Sequence, residues 1–301
     1  MIARSEIKRV AAGDVEIACE TFGDPADPPV VLVMGLATQM LGWPDGFCEA
    51  LAERGHFVVR FDNRDIGLST HLHDAPAPNA MAAFAGDTSS ASYTLSDMAG
   101  DTVGLLDALG LDSVHLVGAS MGGMIAQTVA IEHPERLRSL TSIMSTTGDA
   151  SVGQPTDQAL AVLLAPPART REEAVERTVA SYRVIGSPGF AFDEAALRER
   201  AGLSYDRAHD PLGVGRQLLA VLASGSRSER LRELRVPALV IHGAQDPLVR
   251  LSGGQATAEA IPGAELVVID GMGHDLPREL WPDITGRIAA LTERTEDRLR
   301  A

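Results

Sequence analysis

Three short segments carry side chains that could act together as nucleophile, base and orienting carboxylate. The first, Gly118-Ala119-Ser120-Met121-Gly122, is a G-x-S-x-G pattern between the apolar run Val114-His115-Leu116-Val117 and a helical stretch from Met121 to Glu132. A serine on a sharp strand-to-helix turn has a strained backbone and projects its hydroxyl from the end of the sheet. Bulky residues two positions either side would collide, which requires Gly118 and Gly122. The following helix points its N-terminus at the serine, so the Met121 N–H can stabilise negative charge. The second segment, His242-Gly243-Ala244-Gln245-Asp246-Pro247, follows the run Ala238 to Ile241, and the third, Asp270-Gly271-Met272-Gly273-His274, follows Leu266 to Ile269. A nucleophilic serine needs a base, and the base needs a carboxylate to orient it. Taken singly, these are a turn serine, an Asp-Pro loop and a surface histidine. Falling in the order Ser120, Asp246, His274 on three strand ends, they predict a catalytic triad on one rim of a sheet.

Acyl transfer also needs a second donor aimed at the developing oxyanion. Met34-Gly35-Leu36-Ala37-Thr38 leaves the strand ending at Val33, and the Leu36 N–H is the candidate. Asp62-Asn63-Arg64-Asp65-Ile66-Gly67-Leu68-Ser69 also follows a strand and is expected to be an Asp–Arg-buttressed turn. His71 and His73 have no third ligand at a recognisable spacing and are expected to be a solvated loop pair. No P-loop is present, and no G-x-G-x-x-G follows a strand, so neither a metal nor a cofactor is predicted.

The elements that must position these groups alternate short apolar runs with helical stretches. Strands are expected at Val15–Thr21 (near an edge), Val30–Met34, His56–Phe61, Val114–Val117, Leu137–Met144, Ala238–Ile241 and Leu266–Ile269, with Val30–Met34, Ala238–Ile241 and Leu266–Ile269 reading as buried. Helices are expected at Phe47–Arg54, Ser96–Leu109 (capped by Ser96, stopped by Gly110), Met121–Glu132, Gln255–Ala260 and Trp281 to about Arg298. This alternation predicts an α/β fold, a mostly parallel sheet with helices on both faces. Residues 71–94 read as a long, mobile surface loop. Residues 150–226 show helical patterns without a convincing strand and read as a helical cap inserted into a core made of residues 1–149 and 227–301.

The chain has 301 residues, 45% hydrophobic and 22% charged, with a formal net charge of −15. That length can bury a large core. The charge argues against nucleic acid, which needs clustered Lys and Arg, and against an anionic membrane surface. No run approaches a membrane span and no signal peptide is evident. Cys19 and Cys48 fit no zinc or redox spacing and are expected to be reduced, buried thiols, which suits the cytoplasm.

The motifs quoted above, with Gln39-Met40, Trp43, Gly118 to Gln127, Gly271-Met272-Gly273-His274, Ile185-Gly186-Ser187-Pro188 and Tyr205-Asp206-Arg207, resemble the α/β-hydrolase superfamily over nearly the whole chain. Within it the chain looks most like mycobacterial lipase-G-type carboxylesterases and, more distantly, the anthracycline (aclacinomycin) methylesterases. The resemblance implies an eight-stranded sheet, a helical cap, the Ser120–His274–Asp246 triad and the oxyanion N–H groups of Leu36 and Met121. Many members have His-Gly where this chain has Met34-Gly35, which changes the polarity of the pocket but not the main-chain donor. Serine at 120, where dehalogenases and epoxide hydrolases of the superfamily carry Asp, argues against those chemistries. The expected activity is hydrolysis of carboxylic esters (short or medium acyl esters, thioesters or methyl esters). The alternatives are a same-triad carbon–carbon bond hydrolase or perhydrolase and, further off, a non-catalytic small-molecule receptor. Met40, Met124, Leu160, Leu164, Ile185 and Leu248 are expected to form an apolar pocket for a small ester substrate.

Overall fold

In the structure, a computed structural model that describes residues 2–300, the chain builds one eight-stranded sheet. The strands are β1 (Lys8–Ala12), β2 (Val15–Phe22), β3 (Pro29–Val33), β4 (Phe57–Phe61), β5 (Val114–Ala119), β6 (Leu137–Ile143), β7 (Ala238–Gly243) and β8 (Glu265–Ile269). Their order is β1-β2-β4-β3-β5-β6-β7-β8. β2 pairs antiparallel with β1 and β4, and all later pairs are parallel. The central strands are buried on both faces, as their unbroken β-branched runs require.

The helices are α1 (Asp45–Ala52), α2 (Ala80–Phe84), α3 (Leu95–Leu109), α4 (Met121–Glu132), α5 (Asp157–Leu163), α6 (Arg171–Ile185), α7 (Glu194–Arg207), α8 (Pro211–Ser224), α9 (Ser228–Leu231), α10 (Leu251–Ala260) and α11 (Trp281–Arg300). Successive strand residues face opposite sides, and two apolar clusters result. Val31, Val33 and Leu116 pack with Leu105 of α3 and Ile125 of α4 on one face. Leu32, Val117 and Ile241 pack with Phe47 of α1 and Ile284 of α11 on the other.

Several expectations need correction. β1 was not foreseen: KRVAA is mostly exposed and lacks a clean alternation, so the edge belongs to β1 and β2 lies inside it. α3 starts one residue early and is capped by Thr94, whose hydroxyl and backbone N–H engage Asp97 in a capping box. Ser96 sits inside the helix and bonds Glu132 instead. Gly110 does end α3, in the left-handed region at φ 69°. β8 is the far edge of the sheet rather than a buried strand, and Val268 is 44% exposed. Residues 71–94 hold the short helix α2, and Pro78 lies against Gly215 of α8.

Five helices lie between β6 and β7, and the first four, α5 to α8, fill the helical interval that ends before α9. Its two ends adjoin: a Cβ on Gly148 would lie 2.4 Å from the Gly225 carbonyl oxygen, and the Arg227 N–H bonds Thr147 O at 2.8 Å. Arg227 is buried and has no carboxylate partner among the described residues. Its guanidinium donates to Gln127 Oε1 at 3.1 Å and to Thr146 O at 2.9 Å, and burial lowers it to about 10.

Cys19 and Cys48 are buried and unpaired. Burial pushes their thiols up to about 11 and about 12, outweighing Lys8 at the first and Arg60 at the second. Thiolate is the reactive form. A thiol-specific disulfide reagent at pH 8 should therefore label neither cysteine in the native protein and both in guanidinium. Rapid native labelling of either would contradict this burial.

Candidate active site

Ser120 occupies the turn between β5 and α4 with φ 56° and ψ −122°, a conformation L residues rarely adopt. Its neighbours show why glycine is needed. A Cβ on Gly118 would lie 2.1 Å from the Gly122 carbonyl oxygen, and one on Gly122 would lie 2.1 Å from Val33 O on β3. The second clash is not with the serine turn itself: Gly122 lets α4 press directly on the β3 exit. Gly35, in that exit, stands against Ser120, 3.0 Å from its Cβ to a would-be side chain.

His274 follows β8 and Asp246 follows β7. His274 Nε2 is 3.0 Å from Ser120 Oγ, and His274 Nδ1 is 2.7 Å from Asp246 Oδ2. The other Asp246 oxygen accepts N–H bonds from Leu248 and Val249, each at 2.9 Å. Asp246 and His274 are buried, at 4% and 8% exposure, so their interaction is little screened by water. A second histidine, His242, lies 3.7 Å from Asp246 Oδ2. Its Nε2 donates to Val249 O at 2.7 Å, and burial pushes it down, so it stays neutral and does not compete with His274 for the carboxylate.

Among the described residues, the N–H groups of Leu36 and Met121 make no hydrogen bond, which leaves both free to donate. The Leu36 turn is held from several sides. Asn63 Nδ2 donates to Met34 O at 2.9 Å, the Ala37 N–H donates to Gln217 Oε1 of α8 at 3.1 Å, and Gln39 Nε2 donates to Ser204 O of α7 at 2.7 Å. Ala37 carries a positive φ of 59°, which a polar clamp stabilises.

The helical interval also holds the histidine loop. The His274 N–H donates to Ile185 O at 2.7 Å, and Ser187 Oγ accepts the Gly273 N–H at 2.8 Å while donating to Asp275. Burial pushes the Asp275 carboxyl up. Gln217 carries no local sequence signal, because it meets its partner across a long stretch of chain, while Ser187 lies in the Ile185–Pro188 motif with no role assigned to it by sequence. A polar Gln217 beside Leu218 and Leu219 in an amphipathic helix is the nearest hint.

Asp62–Ser69 is buttressed, but not by its own arginine. Asp62 pairs with Arg207 of α7 at 2.6 Å, and Asp65 pairs with Arg216 of α8 through two 2.8 Å bonds. Arg64 turns away to Asp101. Of the expected pocket residues, Met40 is fully enclosed and lines no space open to water, and Met124 is buried in the α3–α4 core at 7% exposure. Leu160, Ile185 and Leu248 are half-buried. Leu164, just past α5, is 38% exposed.

A sheet parallel except for β2, with a strained serine after the fifth strand and a histidine after the eighth, defines a class. The chain belongs to the alpha/beta hydrolase fold family, whose model matches residues 28–277. It is 32% identical to the rhodomycin D methylesterase DauP of Streptomyces sp. (strain C5), over 95% of this chain and 97% of that protein. It is also 28% identical to 3-oxoadipate enol-lactonase 2 of Acinetobacter baylyi (strain ATCC 33305 / BD413 / ADP1), over 87% of each chain. Among solved structures, a thermophilic esterase from Thermogutta terrifontis with malate bound matches at a TM-score of 0.70 and 23% identity, over 97% of this chain and 99% of that one. The match to DauP accords with the resemblance to anthracycline methylesterases. Among the described residues no helix is long and apolar enough to cross a membrane.

Proposed function

We propose that the protein is a serine hydrolase that cleaves carboxylic esters through an acyl-enzyme. The hydrogen-bonded line Ser120 Oγ–His274 Nε2 at 3.0 Å and His274 Nδ1–Asp246 Oδ2 at 2.7 Å carries this reading. His274 takes the Ser120 proton as the hydroxyl attacks the ester carbonyl. Asp246 holds the imidazole tautomer and stabilises the imidazolium. The free N–H groups of Leu36 and Met121 receive the oxyanion. His274 then protonates the leaving alcohol, and water, activated by the same histidine, releases the acid. Residues 150–226 serve as the cap, holding the Leu36 turn through Gln217 and the His274 loop through Ile185.

Within the ester class, a methyl ester of a polycyclic polyketide is the substrate type we favour, because the rhodomycin D methylesterase aligns along almost the whole chain. The half-buried Leu160, Ile185 and Leu248 supply apolar surface for such a ligand. With a surface of net charge −15, neutral esters should be turned over better than carboxylate-bearing ones.

A fluorophosphonate probe should label the wild type at one equivalent, and Ser120→Ala should abolish both labelling and hydrolysis of p-nitrophenyl esters. Full hydrolysis by Ser120→Ala would sink the acyl-enzyme mechanism. An intact probe reaction with no turnover of any ester, alongside cleavage of a vinylogous diketone, would move the protein to carbon–carbon hydrolysis.

A further inference from the structure

Outside the active site, His71, His73 and Asp210 gather at a surface cleft of about 540 Å³ that also includes Arg9, Gly67 and His209. One ligand atom from each of the three lies within 4.8 Å of the other two. From the geometry of this cluster we propose a binding site for a divalent transition-metal ion, with Zn²⁺ the best match, formed by His71 Nδ1, His73 Nδ1 and an Asp210 oxygen. The third ligand lies 139 positions along the chain from His71, so spacing around the histidine pair could not reveal it.

The hydrogen bonding of His71 carries the argument. Its Nδ1 lies 2.9 Å from Asp210 Oδ2, and its Nε2 lies 3.0 Å from Gly67 O. Both neighbours are acceptors, while a neutral imidazole has a single N–H. With that proton on Nε2 and given to Gly67 O, the Nδ1 lone pair faces a carboxylate oxygen. A cation between them removes the conflict. Histidine ligands commonly have their free N–H fixed in this way by a backbone carbonyl.

The other two ligands are suitably placed. His73 Nδ1 is 3.9 Å from the same Asp210 oxygen, and its ring lies nearly parallel to that of His71, 10° apart with centroids at 5.5 Å. Asp210 is held in place because its Oδ1 caps α8, accepting the Gly213 N–H at 3.0 Å. Neighbouring cations offer limited competition. Arg216 reaches Asp210 at only 3.4 Å and has Asp65 as its main partner, while Arg9 pairs with Glu16 at 2.8 Å. His209 is committed to Ala168 O at 2.9 Å. Two imidazoles and one carboxylate suit zinc, nickel or copper better than magnesium or calcium, which favour all-oxygen sites. Metal–nitrogen bonds of about 2.0–2.1 Å place ligand atoms a little over 3 Å apart. His73 Nδ1, 3.9 Å from the Asp210 oxygen and within 4.8 Å of the His71 ligand atom, must therefore move inward, which its 75% exposure permits.

An ion here would join the segment after β4 to the first turn of α8. α8 carries Gln217, which holds the Leu36 turn, so the ion would act as a clamp on the cap and take no part in the chemistry. The site stands independently of the ester reading.

The test is calorimetric titration of the full chain with ZnCl₂ at pH 7.5, together with the visible absorption of the Co²⁺ form. One equivalent should bind, with Co²⁺ bands typical of mixed nitrogen and oxygen ligands. His71→Gln and His73→Gln should each weaken binding by about tenfold or more. His73→Gln, at an exposed position, should leave metal-free hydrolysis unchanged and so separates ligand loss from misfolding. No uptake of Zn²⁺ at pH 7.5 would overturn the site. Uptake equal in wild type and both variants would place the ion elsewhere and overturn it equally.

Discussion

Asp246→Asn is expected to cut kcat/KM toward a neutral p-nitrophenyl ester by about 10³–10⁴-fold while leaving the fold intact. The size follows from how the carboxylate is held. Asp246 Oδ1 accepts two backbone N–H bonds, from Leu248 and Val249, and Oδ2 accepts from His274. An asparagine must keep its carbonyl oxygen on the two N–H groups, so its amide NH₂ is forced toward His274 Nδ1. The imidazole then accepts at Nδ1 and carries its proton on Nε2, where it faces Ser120 and can no longer take the hydroxyl proton. Both residues occupy the same volume, so melting should shift little. A loss below about tenfold would mean that Asp246 does not set the tautomer.

Gly122→Ala is the second large effect, and it falls on structure. The added methyl would lie 2.1 Å from Val33 O, 2.6 Å from Val33 C and 2.8 Å from Met34 O. All three are backbone atoms of β3 and its exit, so no side-chain rotation gives relief. α4 must lift from the sheet, displacing Ser120 and the Met121 N–H together. A destabilisation of about 3 kcal/mol or more is expected, with loss of activity in whatever fraction folds. Gly100→Ala provides the control. It lies on the exposed side of α3 with nothing within 4 Å of the new methyl. There helix propensity should give neutral behaviour or a gain of up to about 1 kcal/mol. Thermal denaturation of the pair checks the contrast, and equal melting temperatures would show that α4 has room to move.

The parts of this molecule that could be read in advance are those whose cause is local. The β-branched runs at Val30–Val33 and Ala238–Ile241 need burial on both faces and became central strands. Ser120 was legible because its backbone strain requires small neighbours within two residues. The placement of Asp246 and His274 beside Ser120 was legible from their position after strands, although β8 itself is an exposed edge. What escaped depends on distant chain. β1 is held by pairing with β2 rather than by its own pattern. Asp62 and Asp65 looked self-contained beside Arg64, yet their partners lie 145 and 151 positions along the chain. His71 and His73 looked like a solvated pair for the same reason: Asp210 is reached only through the fold. Thr94 displaced Ser96 as cap because Asp97 is correctly spaced from the former.

The meeting of Gly148 and Gly225 has a consequence for how this protein could change. A segment whose two ends already touch can be lengthened, shortened or exchanged at small entropic cost, because closing a longer loop adds only about 0.6 kcal/mol per doubling. The helical interval is in that sense a cassette, and its anchorage at Arg227 N–H and Thr147 O lies outside the part that would be exchanged. Any transplant would nevertheless inherit obligations to the core. It must offer a carbonyl where Ile185 now receives the His274 N–H, an acceptor where Gln217 now receives the Ala37 N–H, and cations where Arg207 and Arg216 now meet the buried Asp62 and Asp65. A lineage could vary what enters the site freely while those groups kept the hydrolytic geometry constant.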